Sequence, residues 1–276
     1  MTETQRPEIG STVVANGIKT NYLEDGQGPP VVFVHGSGPG VTAYANWRLV
    51  MPGLAPHYRT LAPDMVGFGY TDRPAGVTYD VQTWADQTIG FMDALDIQTA
   101  TIVGNSFGGG IALRMATRHP ERIDKLVLMG SMGVSFPITD GLDRVWGYQP
   151  SVENMKAMLG IFAYSPELAN DDELARVRYE ASIQPGFQEA FSSMFPAPRQ
   201  SSVEAMTTPD EELRKISKET LIVHGRDDKV IPLENSYRLL QLIDRSQLHV
   251  FGRCGHWTQI ERADAFVRQV EDLLSH

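Results

Sequence analysis

A single cysteine, Cys254, occurs in 276 residues, so no intrachain disulfide can brace the fold. No apolar run approaches the roughly 20 residues that a membrane-crossing helix needs. The opening MTETQRPEIG lacks the charged-then-apolar layout of a secretion signal, and a cytoplasmic location is expected. Positive charge is scarce as well: 24 Lys and Arg stand against 34 Asp and Glu, a net charge of -10. With no basic cluster to neutralise phosphates, nucleic acid is excluded as a partner. Repeats and low-complexity tracts are absent, which excludes solenoids and extended linkers.

What remains is a chain with 42% hydrophobic residues, enough to bury a full core. After a hairpin-like stretch, STVVANGIKTNYLED with its turn at Asn16-Gly17, short apolar runs recur with helical patterns between them. The runs are VVFVHG, RTLAPDM, TATIVGNS, KLVLMGS, TLIVHGR and QLHVFG. Being apolar on both faces and alternating with helices, they predict a mainly parallel sheet covered on both sides, an α/β fold. Residues 137–208 break the rhythm. They hold helical stretches such as SVENMKAMLGIFAY and DDELARVRYEAS and a Pro-interrupted FPAPRQSS, but no comparable strand. The division predicted is a core over 1–136, a helical cap inserted after the sixth strand over 137–208, and the rest of the core over 209–276. Such a cap would lie over the carboxyl edge of the sheet, where open α/β sheets bind ligands.

Ser106 is surrounded by Gly104, Gly108, Gly109 and Gly110 at a strand-to-helix turn, between TATIV and a helix stopped before Pro120. In that context Gly104-Asn105-Ser106-Phe107-Gly108 matches the G-x-S-x-G nucleophile elbow. A sharp turn lifts the hydroxyl clear of the sheet, and the following helix offers unpaired N–H groups to developing negative charge. A serine nucleophile needs a base, and the base needs a group to fix its tautomer.

Seven histidines compete for the base role. His57 and His119 read as surface residues, His224 and His249 as strand residues satisfied in the core, His276 as the terminus and His35 as a structural residue beside a glycine loop. His256 alone follows a strand in a Gly-bounded loop, FGRCGHW. The acid is Asp227 or Asp228 in HGRDDKVIP, and either gives the chain order Ser, Asp, His of an α/β-hydrolase. The loop HGSGPG offers the amides of Ser37 and Gly38, which with that of Phe107 would form an oxyanion hole. Cys254 reads as a small packing residue.

Together HGSGPG, APDMVGFGYT, GNSFGGG, LMGSMGVSFPIT, RYEASIQPGFQ, HGRDDKVIPL and FGRCGHWTQIE resemble the meta-cleavage product hydrolases of aromatic degradation over nearly the whole chain. The closest likeness is to the 2-hydroxymuconate semialdehyde and monoalkylbenzene branch. The resemblance implies an α/β-hydrolase fold and cleavage of a carbon-carbon bond in a 2-hydroxy-6-oxo-2,4-dienoate, without metal or cofactor. It implies Ser106 as nucleophile, His256 as base and Asp228, rather than Asp227, as its orienting acid. It also implies contacts to the anionic dienoate from Asn46, Asn105 and Arg178, with Trp257 as an aromatic wall, and a homo-oligomer of dimer size or larger. Ile138, Trp146, Met155, Ile161 and Phe162 are candidates to line the pocket for the 6-substituent. The rival readings are a carboxylesterase with the same triad and a hydrolase-fold receptor.

Overall fold

The computed structural model describes residues 6–276; the first five, within the opening MTETQRPEIG that was read for a leader, lie outside it. Eight strands form one sheet in the order β1-β2-β4-β3-β5-β6-β7-β8. β1 (Ser11–Ala15) and β2 (Ile18–Asp25) are the N-terminal hairpin. Asn16 and Gly17 join them with φ of 49° and 77°, the left-handed pair that a two-residue turn requires. The apolar runs become β3 (Pro30–Val34), β4 (Arg59–Pro63), β5 (Ala100–Asn105), β6 (Ile123–Met129), β7 (Thr220–Gly225) and β8 (Ser246–Phe251). From β4 to β8 every neighbouring pair is parallel, while β2 runs antiparallel to β4.

Side chains alternate between the two faces. Val32, Val34, Ile102, Leu126 and Leu128 pack on one, and Val31, Phe33, Val103, Val127 and Met129 on the other. Each face must be covered, which is why helices alternate with strands. Phe91, Ile111 and Leu239 cover the first face, and Trp47, Phe266 and Val270 the second. β8 has only β7 as neighbour, so His249 is half-buried at the sheet edge against Phe251, ring centroids 4.2 Å apart. The expectation of a core histidine there is corrected: strand order, not local pattern, decides it.

Two features of this topology position the site. β3 lies between β4 and β5, so the chain winds outward in both directions from it and a crevice opens at the carboxyl ends of β3 and β5. Between β6 and β7 the described residues form helices and no strand. Among them Val152–Phe162 and Asp172–Ser182 match the predicted helical stretches, and the side chains of Ser151 and Asp171 cap their first turns by accepting from Asn154 N and Leu174 N. Trp146, Met155, Leu159 and Phe191 of this helical segment join the same apolar cluster as the sheet, so the segment shares the core.

Candidate active site

Ser106 sits between β5 and helix Phe107–Arg118 with φ 55° and ψ -113°, a conformation that costs a non-glycine residue about 1–3 kcal/mol. Its surroundings hold it there. Ser106 N donates to Met129 O at 2.8 Å, and Ser106 O accepts from Gly109 N at 2.9 Å and Met132 N at 3.1 Å. The neighbouring glycines are needed for close approach. A Cβ on Gly104 would stand 2.4 Å from Gly108 O, and one on Gly108 would stand 2.2 Å from Val34 O. Gly109 and Gly110 let the helix press against Ser131 and Met206, where a Cβ would meet side-chain atoms at 2.1 and 2.9 Å.

The loops after β7 and β8 bring Asp228 and His256 together. His256 Nδ1 lies 2.7 Å from Asp228 Oδ2, both side chains buried. If Nδ1–H donates to the carboxylate, Nε2 is left as the basic nitrogen. Asp228 Oδ1 accepts from Val230 N at 2.7 Å and Ile231 N at 3.0 Å. Burial alone would raise the Asp228 carboxyl, but the charge of His256 and hydrogen bonds from His224 and His256 outweigh it and hold the group below the usual carboxylate range. Asp227 is the solvent-side neighbour, accepting from Arg226 Nη2 at 3.4 Å and Cys254 N at 3.3 Å.

His224 is the satisfied core histidine expected, and its partners tie it to this network. Its Nε2 lies 3.1 Å from Ile231 O and 3.3 Å from Asp228 Oδ2, and its Nδ1 lies 2.7 Å from Ser236 Oγ. Two acceptors face Nε2, so Nε2 carries the proton and Nδ1 accepts from the serine. The only sequence signal was the spacing of four from His224 to Asp228. His35 is structural as expected: fully buried, with Nδ1 2.7 Å from Gly36 O and Nε2 accepting from Met65 N at 3.0 Å. Burial pushes the Cys254 thiol up to about 12, which suits a packing residue.

Ser106 and His256 line one pocket. No hydrogen bond joins their side chains among the described residues, and such bonds commonly tighten only when substrate binds. Ser37, Gly38, Asn46, Asn105, Arg178 and Trp257 line the same pocket. The amides of Ser37, Gly38 and Phe107 donate to no acceptor among the described residues. Phe107 itself is buried in the core, its ring 4.5 Å from that of Trp84, so only its backbone faces the turn.

Arg178 is 6% exposed and forms no ion pair among the described residues. Its Nη2 donates to Pro39 O at 2.9 Å, and its guanidinium carbon stands 5.0 Å from the Trp257 ring centroid. Burial, then the charge of Arg48, pushes its pKa down to about 10, so it stays cationic at neutral pH.

Of the helical-segment candidates only Phe162 lines the pocket, where its ring stacks on Trp257 at 4.8 Å. Trp146 instead donates from Nε1 to Ser37 Oγ at 2.9 Å, while Met155 and Ile161 are buried in the apolar cluster. Ile138 is half-buried and packs against that cluster. Leu142, Val145 and Val230, none of them anticipated, line the pocket.

The model of the α/β hydrolase fold family matches residues 29–263. A 2-hydroxy-6-oxo-2,4-heptadienoate hydrolase of Pseudomonas putida is 60% identical, with 97% of each chain covered. The chain belongs to the meta-cleavage product hydrolases of the α/β-hydrolase family. A 2-hydroxymuconate semialdehyde hydrolase of Pseudomonas sp. strain CF600 is 57% identical, covering 98% of this chain and 95% of that one. Among solved structures, a meta-cleavage product hydrolase from Pseudomonas fluorescens IP01, a serine-to-alanine variant complexed with acetates, superposes with a TM-score of 0.96 at 58% identity. It covers 98% of this chain and 99% of that chain. Membership in this branch fits the sheet order, the elbow at Ser106 and the Asp228–His256 pair of this chain.

Proposed function

We propose that the protein hydrolyses the C5–C6 bond of a 2-hydroxy-6-oxo-2,4-dienoate with a small 6-substituent, hydrogen or methyl, as the names of its relatives suggest. The products are 2-hydroxypenta-2,4-dienoate and a carboxylic acid. The observation that carries this reading is Arg178: a buried cation without an acidic partner that lines the same pocket as Ser106 and His256. A net-acidic protein that binds an anion must place a cation at the site, whereas an ordinary ester needs none.

The roles follow from the chemistry. Carbon is a poor leaving group unless its electrons can spread, so the dienol first becomes its 2,6-dioxo tautomer. Ser106, its proton taken by His256 Nε2, attacks C6, and the amides of Phe107 and of Ser37 or Gly38 hold the resulting oxyanion. When C5–C6 breaks, its electron pair moves through C3=C4 to the 2-oxo oxygen, beside Arg178, Asn46 and Asn105. His256 returns the proton, and water releases the acid from Ser106. Asp228 keeps the imidazole in the required tautomer. Residues 137–208 act as the cap that closes the pocket, and Trp257 forms its aromatic wall. A cytoplasmic homo-oligomer belongs to the same reading, and size-exclusion chromatography with light scattering tests the assembly.

Steady-state turnover of 2-hydroxymuconate semialdehyde and its 6-methyl analogue, followed by loss of the visible absorbance of the conjugated dienoate, is compared with that of p-nitrophenyl esters. Faster dienoate turnover is expected, and much faster ester turnover would overturn the proposal. Ser106→Ala should lose at least about three orders of magnitude in turnover while still binding the dienoate.

A further inference from the structure

Gln259 follows Trp257 by two residues, in the short helix Thr258–Glu261, and is fully buried at 0% exposure. It lines the pocket of Ser106, yet neither Nε2 nor Oε1 has a partner in the protein. Exchanging amide oxygen and nitrogen does not change this, because both ends are unpaired. An amide buried without partners loses its hydration and gains no hydrogen bond in return, so its place here calls for a compensating use. Two other residues lining this pocket carry unpaired buried nitrogens, Asn46 Nδ2 and Arg178 Nε. Thus four of the eleven buried side-chain N and O atoms that lack a partner among the described residues belong to one pocket.

These four atoms also sort by chemistry. Arg178 Nε, Asn46 Nδ2 and Gln259 Nε2 are donors; Gln259 Oε1 is the one acceptor among them. The polar end of a 2-hydroxydienoate offers a matching set: carboxylate oxygens that accept and one hydroxyl on C2 that donates. We infer that Gln259 is a substrate-binding residue specific for the dienol form, its side-chain carbonyl accepting the 2-hydroxyl while its NH2 group donates to the adjacent carboxylate. The inference rests on the dienoate reading above. It adds a discrimination that Arg178 and Asn46, contributing only donors from their unpaired nitrogens, cannot provide: the keto tautomer has no hydroxyl to satisfy Oε1.

The test uses the full-length protein carrying Ser106→Ala, which holds the dienoate without turning it over, with and without Gln259→Met, a substitution of similar length that removes both polar atoms. Titration against the 6-methyl dienoate should show at least about tenfold weaker binding with Gln259→Met, in keeping with hydrogen bonds that involve a charged partner. The melting temperature of the ligand-free protein should be the same or higher, because the amide supports no protein partner. Gln259→Glu, which places a negative charge beside the carboxylate, should weaken binding at least as much. With the analogue that lacks the 2-hydroxyl, the ratio between the two proteins should shrink. Unchanged dienoate binding in Gln259→Met, or weaker binding accompanied by a lower melting temperature, would overturn the inference. If Ser106→Ala alone fails to bind the dienoate, the functional reading itself fails and takes this inference with it.

Discussion

The backbone carbonyl of Phe162, at the end of helix Val152–Phe162, accepts the amide of His256 at 2.8 Å, and the Phe162 ring stacks on Trp257. The helical segment therefore grips the loop that carries His256. Gly255 makes that grip feasible: a Cβ there would stand 2.5 Å from Phe162 O and 2.9 Å from Tyr164 N. Both are backbone atoms with little freedom to yield. Gly255→Ala is expected to push the two segments apart, lowering kcat and the melting temperature together. Stopped-flow turnover and calorimetry on the same sample check this; a variant with parental values of both would show that the contact does not position His256.

Arg178 leads to the opposite pairing of effects. Its charge is buried with only a carbonyl and an aromatic face to offset the lost hydration. Arg178→Met should therefore melt no lower than the parent, while losing about tenfold to a hundredfold or more in kcat/KM for the dienoate. Turnover of an uncharged ester should fall far less. Equal losses on both substrates would argue that Arg178 serves the fold rather than the anion.

Asp228 gives a prediction in pH. Its carboxyl lies below the usual range when folded, so its ionisation stabilises the native state at every pH above the unfolded value near 4, and that contribution is lost as pH falls below it. Asp228→Asn should flatten the part of the melting-temperature profile that declines below about pH 4. At neutral pH it should also reduce kcat by about 10^4-fold, because the histidine is no longer held in its working tautomer. His224→Leu removes one donor to the same carboxylate and leaves Ser236 unpaired, so a smaller loss of both activity and acid stability is expected. Parental kcat in Asp228→Asn would refute the assignment of the acid.

Much of this was legible in the chain, for identifiable reasons. The sheet could be read because its central strands are buried on both faces and therefore form short continuous apolar runs. The turn at Ser106 and the Asp228–His256 pair could be read because their residues stand at strand ends, where the chain pattern changes abruptly. What the sequence concealed depends on three-dimensional arrangement. The role of His224 requires the loop after β7 to fold back so that Asp228 meets its ring, and the partial exposure of His249 requires β8 to be an edge. Gln259 looks like any polar residue until the pocket beside it is seen. In the helical segment, periodicity marks which side of each helix is apolar, but docking decides whether that side meets the pocket or the core. Met155 and Ile161 went to the core and Leu142 and Val145 to the pocket.

That last difference bears on substrate choice. Leu142 and Val145 lie on helix Asp140–Trp146, tied to the β7 side of the site where Thr139 Oγ1 donates to Val230 O at 2.8 Å. Arg178 and Asn46 come from other helices, and in the proposed binding pose they hold the anionic end. That pose sets the 6-substituent against Leu142, Val145 and Val230, which line the same pocket. Bulk at these positions would then favour hydrogen or methyl, and each methylene-sized change in an apolar pocket is worth about 1–3 kcal/mol of discrimination. Val145→Ala should thus raise kcat/KM for the 6-isopropyl dienoate relative to the 6-methyl one by roughly tenfold, leaving affinity for the dienoate end intact. Competition between the two substrates in one cuvette measures the ratio directly. If the ratio is unchanged in both Val145→Ala and Leu142→Ala, the 6-substituent does not lie against this helix, and the substrate must bind with its long axis turned away from it.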